Sequence, residues 1–255
     1  MQRLPNRVAL VTGAAGGLGR AIALRFAQEG AHLCLLDRAS VSEVQAEVEA
    51  HGAQAIALAA DVTDSSAIKA AFDAALAHFG RIDVLVNVAG ISSHGSSDDV
   101  TEELWNRVLA CNLTSVFLCC KAVLPSMRAQ KYGRIVNISS ILAKNGGNPR
   151  PWIDPDEQKR AGNLAYGSAK AGMHALTSFL AKENAHRGIT VNVVAPGPIA
   201  THMTRNFPET LRNVIPVGRM GTPDDVADAV AFLAGDSAGF ITGEVLDVNG
   251  GSWMD

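Results

Sequence analysis

The stretch Thr12-Gly-Ala-Ala-Gly-Gly-Leu-Gly19 directly follows a short apolar run at 8–11 and opens a helix-like segment. Its glycines let the backbone turn tightly and bring helix N-terminal amides close to a negatively charged pyrophosphate. Asp37 ends the next apolar run, 18 residues beyond Gly19, where a carboxylate can accept hydrogen bonds from ribose hydroxyls. This order predicts a dinucleotide site, with the phosphates at Gly13, Gly17, Leu18 and Gly19.

Short apolar runs alternate with helix-like segments along the whole chain. Such alternation predicts parallel strands joined by crossover helices. We therefore expect an α/β protein with a single-domain Rossmann fold over 1–255, in which a doubly wound seven-stranded parallel sheet carries helices on both faces. The predicted strands lie at 8–11, 31–36, 53–58, 84–86, 134–138, 190–194 and 244–248, and the predicted helices near 18–29, 41–51, 64–79, 102–129, 164–186 and 223–234.

The composition is that of an ordinary globular protein. Of 255 residues, 47% are hydrophobic and 18% charged, and a net charge of -3 gives no electrostatic reason to expect nucleic acid or an anionic membrane as a partner. The apolar stretches are strand-sized, so we expect no membrane span, and the N-terminus carries no export signal, which predicts a cytoplasmic protein. No metal site is expected, because metal-ligand or CxxC spacing is lacking at the four cysteines, which are interpreted as reduced packing residues: Cys34, Cys111, Cys119 and Cys120.

Tyr166 and Lys170 lie four residues apart in a predicted helix, so their side chains project from one face. An ammonium beside a phenol favours the phenolate and lowers the phenol pKa from about 10. The pair therefore offers a general acid/base, although the spacing alone is equally typical of an ordinary surface pair.

Acidic and small residues at the strand ends indicate how the nucleotide binds. Asp37 would repel a 2′-phosphate, and the glycine turn lacks a basic residue, which favours NAD over NADP; Arg38 is the one neighbour that could favour NADP. Asp61 and Val62 follow the third strand and are placed to meet the adenine. We also expect the segment after the fourth strand to run beside the cofactor; its predicted cofactor-binding residues are Asn87, Ala89 and Gly90. Both segments could instead be ordinary turns at strand ends.

These motifs together resemble the short-chain dehydrogenase/reductase family over nearly the whole chain. Each motif is weak alone, but they occur in the family's order, and the ordered set is specific. The matching elements are the glycine turn, Asp61, Asn87-x-Ala-Gly90, Asn112, a serine after Asn137-Ile, Tyr166-x-x-x-Lys170, Pro196-Gly197 and the C-terminal segment 241–251.

The resemblance implies a role for each catalytic residue. Tyr166 would exchange the proton of a substrate hydroxyl, while Lys170 would lower its pKa and hold the nicotinamide ribose. Alternation along a strand sends Ser139 and Ser140 to opposite faces, and the family pattern points to Ser140 as the donor to the substrate oxygen, with Ser139 as its structural partner. Asn112 would bend the long crossover helix and hold a water leading to Lys170.

The resemblance also implies how the nicotinamide end and the assembly are built. Pro196 and Gly197 would shape the turn after the sixth strand, and Ile199 and Thr201 would hold the carboxamide. The family commonly forms homotetramers, here through 102–129 with 164–186 and through 223–234 with 244–248.

Two departures from the family pattern concern the substrate side. Val88 stands where asparagine is common, and 26 positions separate Ser140 from Tyr166, roughly twice the family spacing, so 141–163 is interpreted as an inserted substrate loop. We expect this loop, the 92–97 loop and a lid at 200–215 to line the substrate cleft. The candidate substrate residues are His94, Trp152 and His202, with Arg150 and Asp154 nearby; each histidine could equally be a solvated surface residue.

We therefore predict an NAD-dependent oxidoreductase that acts on a small-molecule secondary alcohol or ketone, with sugars, polyols and cyclic alcohols as the candidate substrates. Two alternatives stay open. One is a reductase of 3-oxoacyl thioesters, and the other is a sensor or interaction protein that binds NAD without turnover. The complete proton-transfer set favours an enzyme over a sensor.

Overall fold

The computed structural model describes residues 2–147, 163–205 and 207–254. All seven predicted strands are present within them and form one parallel sheet. The strands are β1 (Val8–Thr12), β2 (His32–Asp37), β3 (Ala55–Ala59), β4 (Val84–Asn87), β5 (Gly133–Ile138), β6 (Ile189–Pro196) and β7 (Val245–Val248). Their order in the sheet is β3-β2-β1-β4-β5-β6-β7.

Each predicted helical segment is also present, with two short helices that the pattern did not predict. The helices are α1 (Gly17–Gln28), α2 (Ser42–Ala50), α3 (Ser65–Phe79), α4 (Glu102–Leu109), α5 (Ser115–Gln130), α6 (Leu142–Asn145), α7 (Leu164–Asn184), α8 (Glu209–Arg212) and α9 (Pro223–Ala234). A π-helical segment, Ala110–Thr114, joins α4 to α5. The short α6 and α8 were missed because a single turn shows no helical periodicity.

The helices cover both faces of the sheet, which confirms the doubly wound Rossmann-type fold. On one face α1, α2 and α9 pack side chains such as Phe26 onto the strands. On the other face α3, α5 and α7 enclose a second core that includes Phe72 and Met127. The strands are buried from both sides, which explains their nearly continuous apolar sequences.

The helical stretch from Glu102 to Gln130 differs from the expectation that no segment could span a bilayer. It is long and apolar enough to do so by length and composition. One side of it, however, packs inside the fold: Val116, Cys120 and Val123 are buried against the sheet and its neighbouring helices. The stretch is therefore a core helix of this α/β fold.

The order of the strands reverses between β1 and β4, and the site lies at this point. Crossovers on either side lead away from it, so the carboxyl ends of β1 and β4 leave a crevice between them. The Thr12 hydroxyl bridges this crevice at its base, since its Oγ1 accepts hydrogen bonds from the amides of Val88 (3.0 Å) and Ala89 (3.2 Å).

Candidate active site

The glycine turn between β1 and α1 forms one wall of a cleft of about 370 Å³. Gly13 adopts a φ of 68°, and a Cβ there would lie 2.9 Å from the Ala89 amide nitrogen. At Gly19 a Cβ would lie 2.0 Å from the Gly13 carbonyl oxygen. Only glycine permits this approach of turn, helix and neighbouring strand end, and the close approach leaves a backbone-lined cradle that fits a pyrophosphate.

Asp37 is fixed at the end of β2 by two backbone amides. Its Oδ2 accepts from Ala15 at 3.0 Å and its Oδ1 from Ala39 at 2.9 Å. The carboxylate is half-buried and lines both the cleft and a smaller pocket beside it. Each oxygen keeps a further lone pair for a ribose hydroxyl.

A smaller pocket beside Asp37 gathers the predicted adenine residues. Asp61 Oδ1 accepts from the Thr63 amide (2.8 Å) and hydroxyl (2.7 Å), which holds the pKa of Asp61 below its usual range. Arg38, Val62 and Cys111 also line this smaller pocket. Cys111 was noted in the sequence only as a packing residue, and burial raises the pKa of its thiol.

Asn87 is the one predicted cofactor residue whose side chain points away from the cleft. It is 3% exposed, and its Nδ2 donates to Asn137 Oδ1 at 2.8 Å, while Asn137 Nδ2 donates to the Thr177 hydroxyl at 2.9 Å. Alternation along β4 places it on the face covered by α5 and α7. The cleft is lined instead by the next residues, Val88, Ala89 and Gly90.

Three of the four predicted catalytic residues, Ser140, Tyr166 and Lys170, line the same cleft. Tyr166 lies in the first turn of α7, and its amide donates to the Ser93 hydroxyl at 3.2 Å. The Ser140 side chain acts to lower the pKa of the Tyr166 phenol. Ser139 faces the other way, as predicted: its Oγ contacts His174 Nε2 at 2.7 Å and donates to the Lys170 carbonyl at 3.3 Å.

Burial dominates the acidities of the Tyr166–Lys170 pair. Desolvation raises the pKa of Tyr166 to about 12, opposed by the Ser140 side chain, and it lowers the pKa of Lys170 to about 8. The Lys170 ammonium donates to the Ile138 carbonyl at 2.6 Å and lies 5.7 Å from the centre of the Tyr166 ring. The sequence predicts that Lys170 lowers the phenol pKa, whereas burial raises the pKa of Tyr166 in this structure.

Asn112 occupies the π-helical segment and is fully buried. Its Oδ1 accepts from the Ile91 amide at 2.9 Å, and its Nδ2 donates to the Ile91 carbonyl at 2.8 Å. A Cβ on Gly90 would lie 2.6 Å from Asn112 Oδ1 and 3.7 Å from Lys170 Nζ. Asn112 thus holds the segment after β4 beside the lysine. The π-helical segment interrupts the helix at the residue where the family resemblance implies a bend.

The segment after β6 lines the cleft where the sequence predicts the nicotinamide to bind. Among the predicted residues, Pro196, Gly197, Ile199 and Thr201 all line it. The Thr201 amide donates to the Thr204 hydroxyl at 3.0 Å, and that hydroxyl donates to the Ile199 carbonyl. Together these contacts fix the turn that presents Ile199 and Thr201.

The substrate predictions have different outcomes. His202 lines the cleft, within the predicted lid, whereas His94 is exposed in the loop after β4 and does not line it. Trp152, with Arg150 and Asp154, lies outside the described residues. The inserted segment 141–163 is described only at its two ends.

Several site residues were not predicted. Gly16 and Thr204 line the cleft within segments already recognised, so their positions could have suggested them. Ile138 acts through its backbone carbonyl, and Ser93 supports the Tyr166 amide from a loop. No local sequence signal identifies contacts of that kind.

Comparison with known proteins finds relatives that match nearly the whole chain. A family model described as "Enoyl-(Acyl carrier protein) reductase" matches residues 13–252. The 3-oxoacyl-[acyl-carrier-protein] reductase FabG of Escherichia coli (strain K12) is 41% identical over 253 residues, covering 98% of each chain. The (2S)-[(R)-hydroxy(phenyl)methyl]succinyl-CoA dehydrogenase subunit BbsD of Thauera aromatica is 40% identical over 254 residues, covering 97% of each.

Solved structures agree closely with the fold. A protein from Sinorhizobium meliloti 1021 assigned as a short-chain alcohol dehydrogenase superposes with a TM-score of 0.88 at 35% identity, covering 98% of this chain and 97% of its own. Levodione reductase superposes with a TM-score of 0.87 at 33% identity, covering 98% of both chains.

We expect Lys170→Met to change how stability depends on pH. Because the pKa of Lys170 is about 8 when folded and ordinarily 10.5, the unfolded chain binds more protons between these values, and wild-type stability rises with pH there. The free energy of unfolding of the wild type, minus that of the variant, should therefore increase by up to about 3 kcal/mol as pH rises from about 8 to about 10. Urea unfolding across this range measures the gain.

The matched control is Lys182→Met, at an exposed position of the same helix. It should show no comparable pH-dependent gain. A wild-type advantage over Lys170→Met that stays constant from pH 7 to pH 10 would contradict the buried, depressed ammonium.

Proposed function

This chain belongs to the short-chain dehydrogenase/reductase family of oxidoreductases, and from that we propose that it transfers a hydride between NAD and a secondary alcohol or its ketone. The observation that carries this proposal is that Ser140, Tyr166 and buried Lys170 line the same cleft as the glycine turn. A proton-transfer group and a nucleotide cradle thus open into one space.

Tyr166 is the general acid/base in this proposal. Its phenolate accepts the proton of the substrate hydroxyl during oxidation, and its phenol donates that proton to the carbonyl oxygen during reduction. The Ser140 hydroxyl meets the same oxygen and stabilises the negative charge that develops on it. The nicotinamide ring, when bound, supplies the hydride acceptor or donor.

Lys170 has two tasks. One of its three N–H groups is used by the Ile138 carbonyl, which leaves donors for the ribose hydroxyls. Its charge also lies 5.7 Å from the centre of the Tyr166 ring, so in this proposal it favours the phenolate that accepts the substrate proton. The positive charge of an oxidised nicotinamide acts in the same direction.

We expect Tyr166→Phe to lower turnover by about a hundredfold to ten-thousandfold, because the proton then has no protein acceptor. Absorbance of the reduced nicotinamide should be followed with sugars, polyols, cyclic alcohols and 3-oxoacyl thioesters. The matched control is Tyr132→Phe, which changes the chain's other tyrosine, whose hydroxyl contacts Asp236 at 2.9 Å and which does not line the cleft.

Both variants should bind NADH as the wild type does, measured by quenching of nucleotide fluorescence. NADH binding without turnover of any substrate by the wild type would favour the sensor alternative. Equal turnover in Tyr166→Phe and wild type would exclude Tyr166 as the base.

Asp37 is the basis for proposing NAD over NADP. Its carboxylate is held by two amides at the adenosine end, where a 2′-phosphate would meet like charge. We expect Asp37→Asn to lower the NAD-to-NADP ratio of kcat/KM by about tenfold, because the charge is lost while the shape is kept.

Asp61→Asn is the comparison variant for this measurement. Asp61 lines the same pocket but binds its own turn through Thr63, so its loss should affect both cofactors alike. A wild-type enzyme that turns over faster with NADP than with NAD would overturn the assignment.

The substrate is proposed to be polar or cyclic, supported by His202 at the cleft and by the serine-rich loop after β4. A second candidate, reduction of a 3-oxoacyl thioester, is supported by the names of relatives about 40% identical over the whole chain. The same substrate panel separates the two, since a preferred thioester would show the larger kcat/KM.

We also propose a homotetramer in the cytoplasm. Aromatic side chains are exposed on the helices predicted to form one interface: Phe117 on α5 is 44% exposed and Phe179 on α7 is 76% exposed. Phe240 is fully exposed in the segment between α9 and β7, the two elements of the other predicted interface. A reducing compartment fits the four cysteines, which are all free thiols.

We expect Phe179→Asp to dissociate the tetramer into smaller particles, because the interface would bury an unpaired carboxylate. Sedimentation velocity measures the change. Val214→Asp, an exposed apolar site outside both proposed interfaces, is the control and should leave the particle unchanged. A monomeric wild type would contradict the proposal.

A further inference from the structure

Lys144 and Asp247 form an ion pair that joins the helix after Ser140 to the last strand. Lys144 Nζ donates to Asp247 Oδ2 at 2.9 Å, and the two side chains are only 12% and 20% exposed. Lys144 lies on α6 and Asp247 on β7, and β6 lies next to β7 on the inner side of the sheet. The pair therefore connects α6 to the edge of the sheet.

The first turn of α6 sets the position of the Ser140 hydroxyl. The Leu142 amide donates to Ser140 Oγ at 3.2 Å, and the Ala143 amide donates to the Ser140 carbonyl at 3.1 Å. The Ile141 amide donates to the Pro196 carbonyl at 3.0 Å, which ties this turn to β6. With Oγ already accepting from Leu142, the hydroxyl proton is available for the Tyr166 phenol or a substrate oxygen.

Lys144 holds the other end of that turn. Its amide and that of Asn145 both donate to the Ile141 carbonyl, at 2.9 Å and 3.0 Å, and α6 ends at Gly146, which has a φ of 69°. A one-turn helix is not stable by itself, so its position depends on tertiary contacts. The ion pair to Asp247 is such a contact.

We propose that the Lys144–Asp247 pair is a positioning device for Ser140, holding α6 so that the serine hydroxyl stays aligned with Tyr166. Its kinetic consequence rests on the proposed function. Because the pair is largely withdrawn from solvent, its loss matters more than that of a surface ion pair. Asp247 Oδ1 is buried and accepts no hydrogen bond from the described part of the chain, so the carboxylate depends on Lys144.

The pair also has a predicted effect on acidity. The Ser140 side chain acts to lower the pKa of Tyr166, against the larger effect of burial. A displaced Ser140 would leave that pKa higher. Alcohol oxidation requires the phenolate, so the rising limb of its pH profile would then move to higher pH. A purely structural loss of folded protein would not move this limb.

The test compares Asp247→Asn with wild type and with two further variants. We expect Asp247→Asn to lower kcat by about tenfold with KM for NAD nearly unchanged, and to move the rising limb upward. Lys144→Arg keeps a positive charge opposite Asp247, so its kcat and the position of its rising limb should stay close to those of the wild type. Asp228→Asn breaks the Arg25–Asp228 pair between α1 and α9, which is 2.8 Å long and remote from Ser140, and should change neither.

A readout without turnover separates this inference from the proposed function. Hydrogen exchange of the α6 amides should be about tenfold faster in Asp247→Asn than in wild type or Asp228→Asn. If the wild type turns over no substrate, the proposed function is wrong. The exchange rates then still show whether the Lys144–Asp247 pair holds α6 in place. Unchanged exchange, or a loss of kcat with an unmoved pH limb, overturns the positioning role.

Discussion

The Thr12 hydroxyl is the contact on which the site depends. By accepting hydrogen bonds from Val88 and Ala89, it fixes the strand ends of β1 and β4 at the one place where the sheet order reverses. The glycine turn then passes so close to Ala89 that no side chain fits between them. Phosphate cradle, nicotinamide passage and catalytic residues are all arranged around this narrow base.

The buried Lys170 shows how the fold supports a costly group. Taking an ammonium out of water is unfavourable, and here it lowers the pKa of Lys170 to about 8. The Ile138 carbonyl compensates in part, and Asn112 keeps the neighbouring segment in place through Ile91. The folded chain therefore carries a destabilising charge at the point where the proposed chemistry needs one.

The sequence predicted the strands, the glycine turn and Asp37 because each has a local cause: buried parallel strands are continuously apolar, and tight turns require glycine. It failed where tertiary surroundings decide. Asn87 turns away from the cleft because of strand alternation, and the pKa of Tyr166 is governed by burial rather than by Lys170. The Lys144–Asp247 contact joins residues 103 positions apart, which no local pattern reveals.

The π-helical segment at 110–114 has a consequence for how one long helix serves two environments. A π turn adds one residue to the usual hydrogen-bonded ring, which rotates everything beyond it by about 100° relative to a continuous α-helix. Before the segment, Val108 packs with Ala165 and Ala169 of α7; after it, Val116 and Val123 pack in the core under the sheet. The extra residue thus directs one side of the helix toward α7 before the π-helical segment and another side toward the core after it. A substitution in one of these two contact surfaces therefore need not change the rotation of the other.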